Sequence, residues 1–290
     1  MQKLVTFVTL SGLFMVLMAA GCVSAKSINE NPKPLILIAA FGSSYDSGLS
    51  NLNDFDKSIT QAFPDHEVRW GFTASFIVNK LRKQGVKSLF DRQIPLETLD
   101  EALDRTRLEG HYKVLVQSLH LMVGAEFRQV MDADTRGLNV KYSFPLLFNS
   151  ENIEKVVKAL ESEIADKQET ATLFCAHGNE KHPEYNAQLV EIDQYLRKNY
   201  TNTYLAVMEG NPEFETVEKT IKTNGSQSVK FVTFMLTFGD HISNDVMGAE
   251  EDSMKSRLGL PAKVSNGLAS NSSIQQIFIK QMGHVLKQFN

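Results

Sequence analysis

The chain has 290 residues, 42% of them hydrophobic, and a formal charge of −4 from 30 basic and 34 acidic side chains. A mildly acidic balance without a basic patch excludes a nucleic-acid binder, and RNP, zinc-finger and P-loop patterns are absent. Its two cysteines, Cys22 and Cys175, exclude a disulfide framework, so burial of apolar surface must hold the fold.

Residues 1–25 read as an export signal. A short basic start, Met1-Gln2-Lys3, precedes an apolar run from 4 to 20, broken only by Thr6, Thr9 and Ser11, and small residues follow. The run is short for a spanning helix. Val23-Ser24-Ala25 suits cleavage to a soluble periplasmic protein starting at Lys26. Ala19-Ala20-Gly21-Cys22 instead resembles a lipoprotein box, which would lipidate Cys22 and give the protein its membrane contact. Either route predicts a periplasmic location. Loss of Lys3 takes the charge to −5, and Cys175 is the thiol that stays.

Strand-like and helix-like segments then alternate. "PLILIAAFG" (34–42) is a continuous apolar run, as in a parallel strand buried on both faces. A loop, "SSYDSG", leads to a helix near 49–62. Strands follow at 68–73, 113–124 and 139–148, with helices at 75–84 and 95–109. A boundary near 146–152 divides an N-terminal α/β domain, 34–148, from a C-terminal one, 149–290. The second half holds a helix at 150–167, a strand at 171–178 and a helix at 183–198 with Tyr185, Leu189, Ile192 and Leu196 on one stripe. Strands at 203–210, 228–239 and 262–266 and helices at 213–223 and 272–288 complete it. The last helix turns Ile274, Ile277, Phe278, Met282 and Val285 inward and is expected to pack back on the first domain. This rhythm predicts two doubly wound parallel sheets.

An internal echo supports two related halves. "ILIAAFGSS" matches "TLFCAHGNE", and "SLHLMVGAEFRQV" matches "FMLTFGDHISNDV". All four corners would then lie at strand carboxyl ends, where open α/β sheets bind ligands.

Three titratable residues stand at such corners: His177, His241 and Glu126. Neutral imidazole suits cobalt, nickel, iron and zinc, and it also accepts a proton near neutrality. Their spacing makes no short motif, so metal binding and ordinary strand-end histidines both stay open from pattern alone. Cys175 lies inside an apolar run and reads as core packing, not as a nucleophile. Gly42, Ser43 and Ser44 could offer backbone N–H groups and hydroxyls to an anion. Lys80, Arg82, His120 and His182 are further polar residues near the corners.

The corners "AFGSSY", "FTASFIVNKLRKQG", "VQSLHLMVGAEF", "CAHGNEKH" and "TFGDHISNDVMGAEEDSMKSRLG", in this order, resemble the anaerobic cobalt chelatases of the CbiK type over residues 34–288. The resemblance implies a chelatase-like fold with a central tetrapyrrole cleft, and insertion of Co²⁺ into sirohydrochlorin. It implies that His177, His241 and Glu126 bind the metal or accept protons, and that Gly42, Ser43 and Ser44 meet the substrate's carboxylates. Self-association is left open. An exported chelatase is unexpected, because tetrapyrrole synthesis is cytoplasmic. The alternatives are therefore a periplasmic carrier of haem, another tetrapyrrole or the metal, and a chelatase using iron or nickel.

Overall fold

All six residues of β1 (Leu35–Ala40) are buried, which fits a run with no polar alternation. The computed structural model describes residues 33–289; the export-signal residues, with Cys22 and Lys26, lie outside them. After β1 come α1 (Asp46–Ala62), β2 (Val68–Phe72), α2 (Ser75–Lys83), and a small hairpin of β3 (Ser88–Leu89) and β4 (Ile94–Pro95). Next are α3 (Leu99–Leu108), β5 (Lys113–Leu119), α4 (Ala125–Asp132) and β6 (Asn139–Ser143). The second half runs through α5 (Glu151–Ala159), β7 (Thr170–Gly178), α6 (Ala187–Asn199), β8 (Thr203–Glu209) and α7 (Phe214–Thr223). It ends with β9 (Ser228–Thr233), α8 (Met254–Leu258), β10 (Ala262–Val264) and α9 (Ser272–Leu286).

The strands form two four-stranded sheets of order β2-β1-β5-β6 and β10-β9-β7-β8, with every pair parallel. Counted within each half, both orders are 2-1-3-4, so the echo between the two halves is a repeat of topology. In each sheet the direction of winding reverses between its first and third strands, β1/β5 and β7/β9. The carboxyl ends there are switch points, where crossover loops part and leave a crevice. Both sheets lie in a single compact unit, Lys33–Asn290.

One apolar cluster joins the halves, with Ile38 and Phe55 of the first packed in the same core as Phe174 and Phe234 of the second. α9 packs on α1, α5, β5 and β6. Its Ile274, Phe278 and Met282 are fully buried, whereas Ile277 is half-buried. The Phe278 ring meets Phe55 edge-on at 5.5 Å. Burying such a side chain stabilises by about 1.5–3 kcal/mol, and truncating it to alanine costs about 3–5 kcal/mol.

Several element boundaries differ from the expected ones: the strands expected over 113–124 and 139–148 end at Leu119 and Ser143, and four further differences have an identifiable cause. The helix expected over 95–109 starts at Leu99, because Thr98 and Glu101 form a reciprocal capping box that fixes its first turn. The helix expected over 150–167 stops at Ala159 and tightens through Glu161–Glu163. Beyond it, the Ala165 N–H is taken by the Thr172 hydroxyl at 3.0 Å. The strand expected over 228–239 ends at Thr233. The carbonyls of Met235 and Leu236 accept from the Leu268 and Ala269 N–H groups instead, which releases the next residues as a loop. Tyr185 falls in a 3-10 turn before α6, so Leu189, Ile192 and Leu196 alone continue the buried stripe. No helix among the described residues is long and apolar enough to cross a membrane.

Candidate active site

The loops leaving β1, β5, β7 and β9 enclose a cavity of about 530 Å³. Phe41, Gly42, Ser43, Ser44 and Tyr45 follow β1, and His120, Met122, Gly124 and Glu126 follow β5. His177, Gly178 and Asn179 come from the end of β7, and Met235 to His241 from the loop after β9. His177, His241 and Glu126, which are far apart in sequence, thus line one space.

Gly178 sits at φ +76°, and a Cβ there would lie 2.2 Å from the Glu209 carbonyl oxygen. The "HG" pair therefore has a steric basis: only glycine lets β7 turn while it runs against β8. Gly42, at φ +96°, makes the matching turn after β1 against the Phe72 ring.

The two imidazoles stand edge to face with ring centroids 4.4 Å apart. His177 Nδ1 lies 2.8 Å from the Gly178 carbonyl oxygen, and His241 Nδ1 lies 2.7 Å from Asp245 Oδ2. A carbonyl and an ionised carboxylate can only accept, so each Nδ1 carries the hydrogen. In the neutral ring the Nε2 lone pair is then left for a metal or a proton. Anchoring one ring nitrogen on an acceptor is how proteins orient metal-binding histidines. Asp245 follows His241 by four residues across the π-helical turn Ile242–Val246, so it sits on the same face. Its partnership with His241 was missed in the sequence, although "HISND" contains the spacing.

Glu126 is the second residue of α4, exposed on the first-half wall. It does not close a tight three-ligand cluster with the imidazoles. Among the described residues, the one group of three His, Cys, Asp or Glu with ligand atoms within 4.8 Å of one another is Glu67, Glu109 and His111, at the opposite end of the sheet.

The other polar residues divide sharply. Ser43 is buried, and its hydroxyl accepts from the Tyr45 N–H at 3.1 Å, which ties it into the loop itself. Ser44 is half-buried on the cavity wall. Tyr45 donates to Asp240, and that hydrogen bond raises the phenol's pKa above its ordinary value. Lys80 reaches the cavity with its ammonium 5.7 Å from the Tyr45 ring centre, whereas Arg82 is held away by Glu101 at 2.7 Å and the Leu96 carbonyl. His120 is buried at the cavity wall, and burial pushes its pKa down to about 4. His182 is exposed outside the lining, beside Glu184 at 3.3 Å. Cys175 is fully buried and burial pushes its thiol pKa up, which suits core packing.

Two like-wound α/β halves around one cleft, with paired imidazoles at strand ends, define a chelatase-type protein. The fold is similar to that of SirB from Bacillus subtilis, solved with Fe³⁺, at 14% identity and TM-score 0.60 over 87% of this chain and 95% of that one. It is also similar to a multi-domain Deinococcus radiodurans protein with structural similarity to chelatases, at 12% identity and TM-score 0.56, over 87% of this chain and 55% of that one. Residues 34–287 match the CbiK cobalt chelatase family, and the chain belongs to that family. Two curated relatives are the sirohydrochlorin cobaltochelatase of Salmonella typhimurium and the sirohydrochlorin cobaltochelatase CbiKC of Nitratidesulfovibrio vulgaris. The first is 25% identical over 88% of this chain and 97% of its own length; the second is 28% identical over 77% and 78%.

Proposed function

We propose that this chain is an enzyme that inserts Co²⁺ into sirohydrochlorin, with His177 and His241 at the centre of the reaction. The observation that carries this reading is the His177–His241 pair at 4.4 Å, with each Nδ1 anchored on an acceptor and each Nε2 lone pair uncommitted. Family membership and the two relatives support the substrate pair.

Insertion exchanges one Co²⁺ for two pyrrole protons. The site must therefore present the ion to the ring nitrogens and take up the protons. One imidazole can hold Co²⁺ while the other accepts one pyrrole proton at Nε2; the first, once the ion has passed to the ring, can accept the second proton at its own Nε2, and protonation of each is stabilised by the acceptor at its Nδ1. A carboxylate offsets the cationic charge that builds up. Glu126 lines the same cavity from the first half. The shell is loose rather than closed, which suits an ion that must leave for the macrocycle. Phe41, Phe76, Leu121, Met122 and Leu236 give apolar surface for the ring face. Gly42, Ser44 and Lys80 supply donors for peripheral carboxylates.

We assign the enzyme to the periplasm, on the strength of the export-type segment at 1–25. Mass analysis of the N-terminus from a cell envelope fraction would separate lipidated Cys22 from free Lys26, an unprocessed Met1 there would mark a retained membrane anchor, and recovery of the chain from the cytoplasm alone would refute export.

The deciding experiment mixes the purified chain lacking residues 1–25 with sirohydrochlorin and Co²⁺, Fe²⁺ or Ni²⁺ and follows the absorbance change on metallation. Acceleration with Co²⁺ is expected. No acceleration over the spontaneous rate with any metal would refute the enzyme reading, and tight haem binding without insertion would move the chain to the carrier reading.

A further inference from the structure

The loop that carries His241 belongs to the second half, yet side chains of the first half hold it. Both polar groups of the Phe238 residue are captured by α1. Its N–H donates to Asn51 Oδ1 at 2.7 Å, and its carbonyl accepts from Ser47 Oγ at 2.7 Å. Ser47 and Asn51 are four residues apart and so share one helix face. Asn51 is 4% exposed, and its Nδ2 donates to Ser270 Oγ at 2.7 Å, which in turn donates to Asp54 Oδ2 at 2.7 Å. Those bonds fix the amide's orientation, so Oδ1 must face Phe238. Two residues further on, Asp240 accepts from the Tyr45 hydroxyl and from Asn244 Nδ2. His241 follows directly.

We infer that Asn51 and Ser47 are positioning residues: they set the place of the His241 imidazole from the opposite half and couple it to the Gly42–Tyr45 loop. This rests on the reading of His241 as a metal-binding residue. The physical reason is that Met235 to Asp240 has left the strand ladder, so its backbone needs outside partners. α1 begins immediately after the candidate carboxylate-binding loop. A displacement of Gly42–Tyr45 on substrate binding is therefore carried through one rigid helix to the peptide three residues before His241. A site held together from both walls keeps its imidazoles in register with the ring plane, and misplacement by about 1 Å costs about 100-fold in rate.

The test uses Asn51→Ala, Ser47→Ala and Ser47→Thr beside His241→Ala, each as the whole protein. Two quantities are read: the Kd for Co²⁺ alone, and kcat against KM for the tetrapyrrole. Asn51→Ala is expected to raise the cobalt Kd and lower kcat by about tenfold or more, while KM stays within about twofold. Ser47→Thr keeps the hydroxyl donor for the Phe238 carbonyl and should behave as the parent does, which separates loss of the hydrogen bond from a general effect of substitution at that position. Ser47 is exposed, so Ser47→Ala folds whatever Asn51→Ala does, and it should shift both quantities in the same direction by less. Folded Asn51→Ala and Ser47→Ala with unchanged cobalt Kd and kcat, beside a His241→Ala that loses cobalt, would overturn the positioning role. If Asn51→Ala does not fold, an unchanged Ser47→Ala alone overturns it. A His241→Ala that still binds cobalt like the parent would instead overturn the metal reading, and this inference with it.

Discussion

Two histidine clusters stand at opposite ends of the sheets, and only one is built like a metal site. At the amino ends of β2 and β5, Glu67, Glu109 and His111 hold their ligand atoms within 4.8 Å of one another. Arg69, 3% exposed, sits among them and bonds both carboxylates and the imidazole. Its guanidinium holds the Glu109 carboxyl below the usual range, chiefly by their hydrogen bond. A fixed cation already fills the space a metal would need. At the carboxyl ends, His177 and His241 form a looser set, but each keeps one nitrogen on an acceptor and the other uncommitted. Closeness of ligand atoms is thus a poorer guide than the number of lone pairs left over.

The largest effects should fall on the carboxyl-end pair. His177→Ala and His241→Ala are each expected to lower the rate of cobalt insertion by about 100-fold or more, with folding intact, since each removes a proton acceptor and a ligand. Circular dichroism and an insertion assay on the same samples check both halves of that statement. An unchanged rate for either would remove it from the site. Glu126→Gln, assayed in parallel, should lower the rate by less, since it removes a charge that offsets the cation and leaves both imidazoles in place.

His120 sharpens the comparison from within the cavity. Its Nδ1 lies 2.8 Å from the Ser118 hydroxyl and its Nε2 3.5 Å from that of Thr73, so neither nitrogen is left for a metal. Burial holds its pKa at about 4, against an ordinary value of 6.5. Between those two values the unfolded chain binds a proton that the folded chain refuses. The His120 contribution to stability should therefore fall as pH drops from 6.5 to 4, by about 3 kcal/mol in all. Urea denaturation across that window should show the slope, and His120→Phe should flatten it. An identical slope in the variant would remove His120 as its cause.

Asp245→Ala comes next. Loss of the acceptor at His241 Nδ1 frees the ring to rotate or change tautomer, and a loss of about tenfold in cobalt affinity or rate is expected. Metal titration of the variant beside Asp245→Asn, which keeps an oxygen acceptor, checks this. Equal losses in the two would point to the charge rather than to the hydrogen bond.

Much of the architecture was legible because parallel strands buried on both faces leave continuous apolar runs, and "PLILIAAFG" and "ATLFCAHG" are such runs. The convergence of Glu126 with the imidazoles on one cavity followed from a general rule about strand ends, since it needs only the crossover topology. What the pattern could not supply was set by contacts distant in sequence. The end of β9 depends on whether residues 235–239 find a neighbouring strand, and they find residues 268–269 and Asn51 instead. The hydrogen bond that the Ser43 hydroxyl accepts from the Tyr45 N–H was equally hidden, because it depends on how the loop turns after Gly42. Arg82 looked as available as Lys80 on the same helix, and only the position of Glu101 separates them.

The smallest effect is the one that tests the comparison from its other side. His111 is half-buried and meets Glu67 at 3.2 Å, while Arg69 already satisfies both carboxylates. Replacing it with alanine leaves no buried charge unpaired, so stability should change by no more than about 0.5 kcal/mol. Cobalt insertion and the number of Co²⁺ ions bound should not change at all, because no uncommitted lone pair is removed from the cavity. Equilibrium dialysis of His111→Ala with Co²⁺ alone measures this directly. Loss of one bound ion in that variant, with insertion intact, would show that the amino-end cluster holds a metal despite Arg69. The rule that leftover lone pairs outweigh mere proximity would then fail in the protein from which it was drawn.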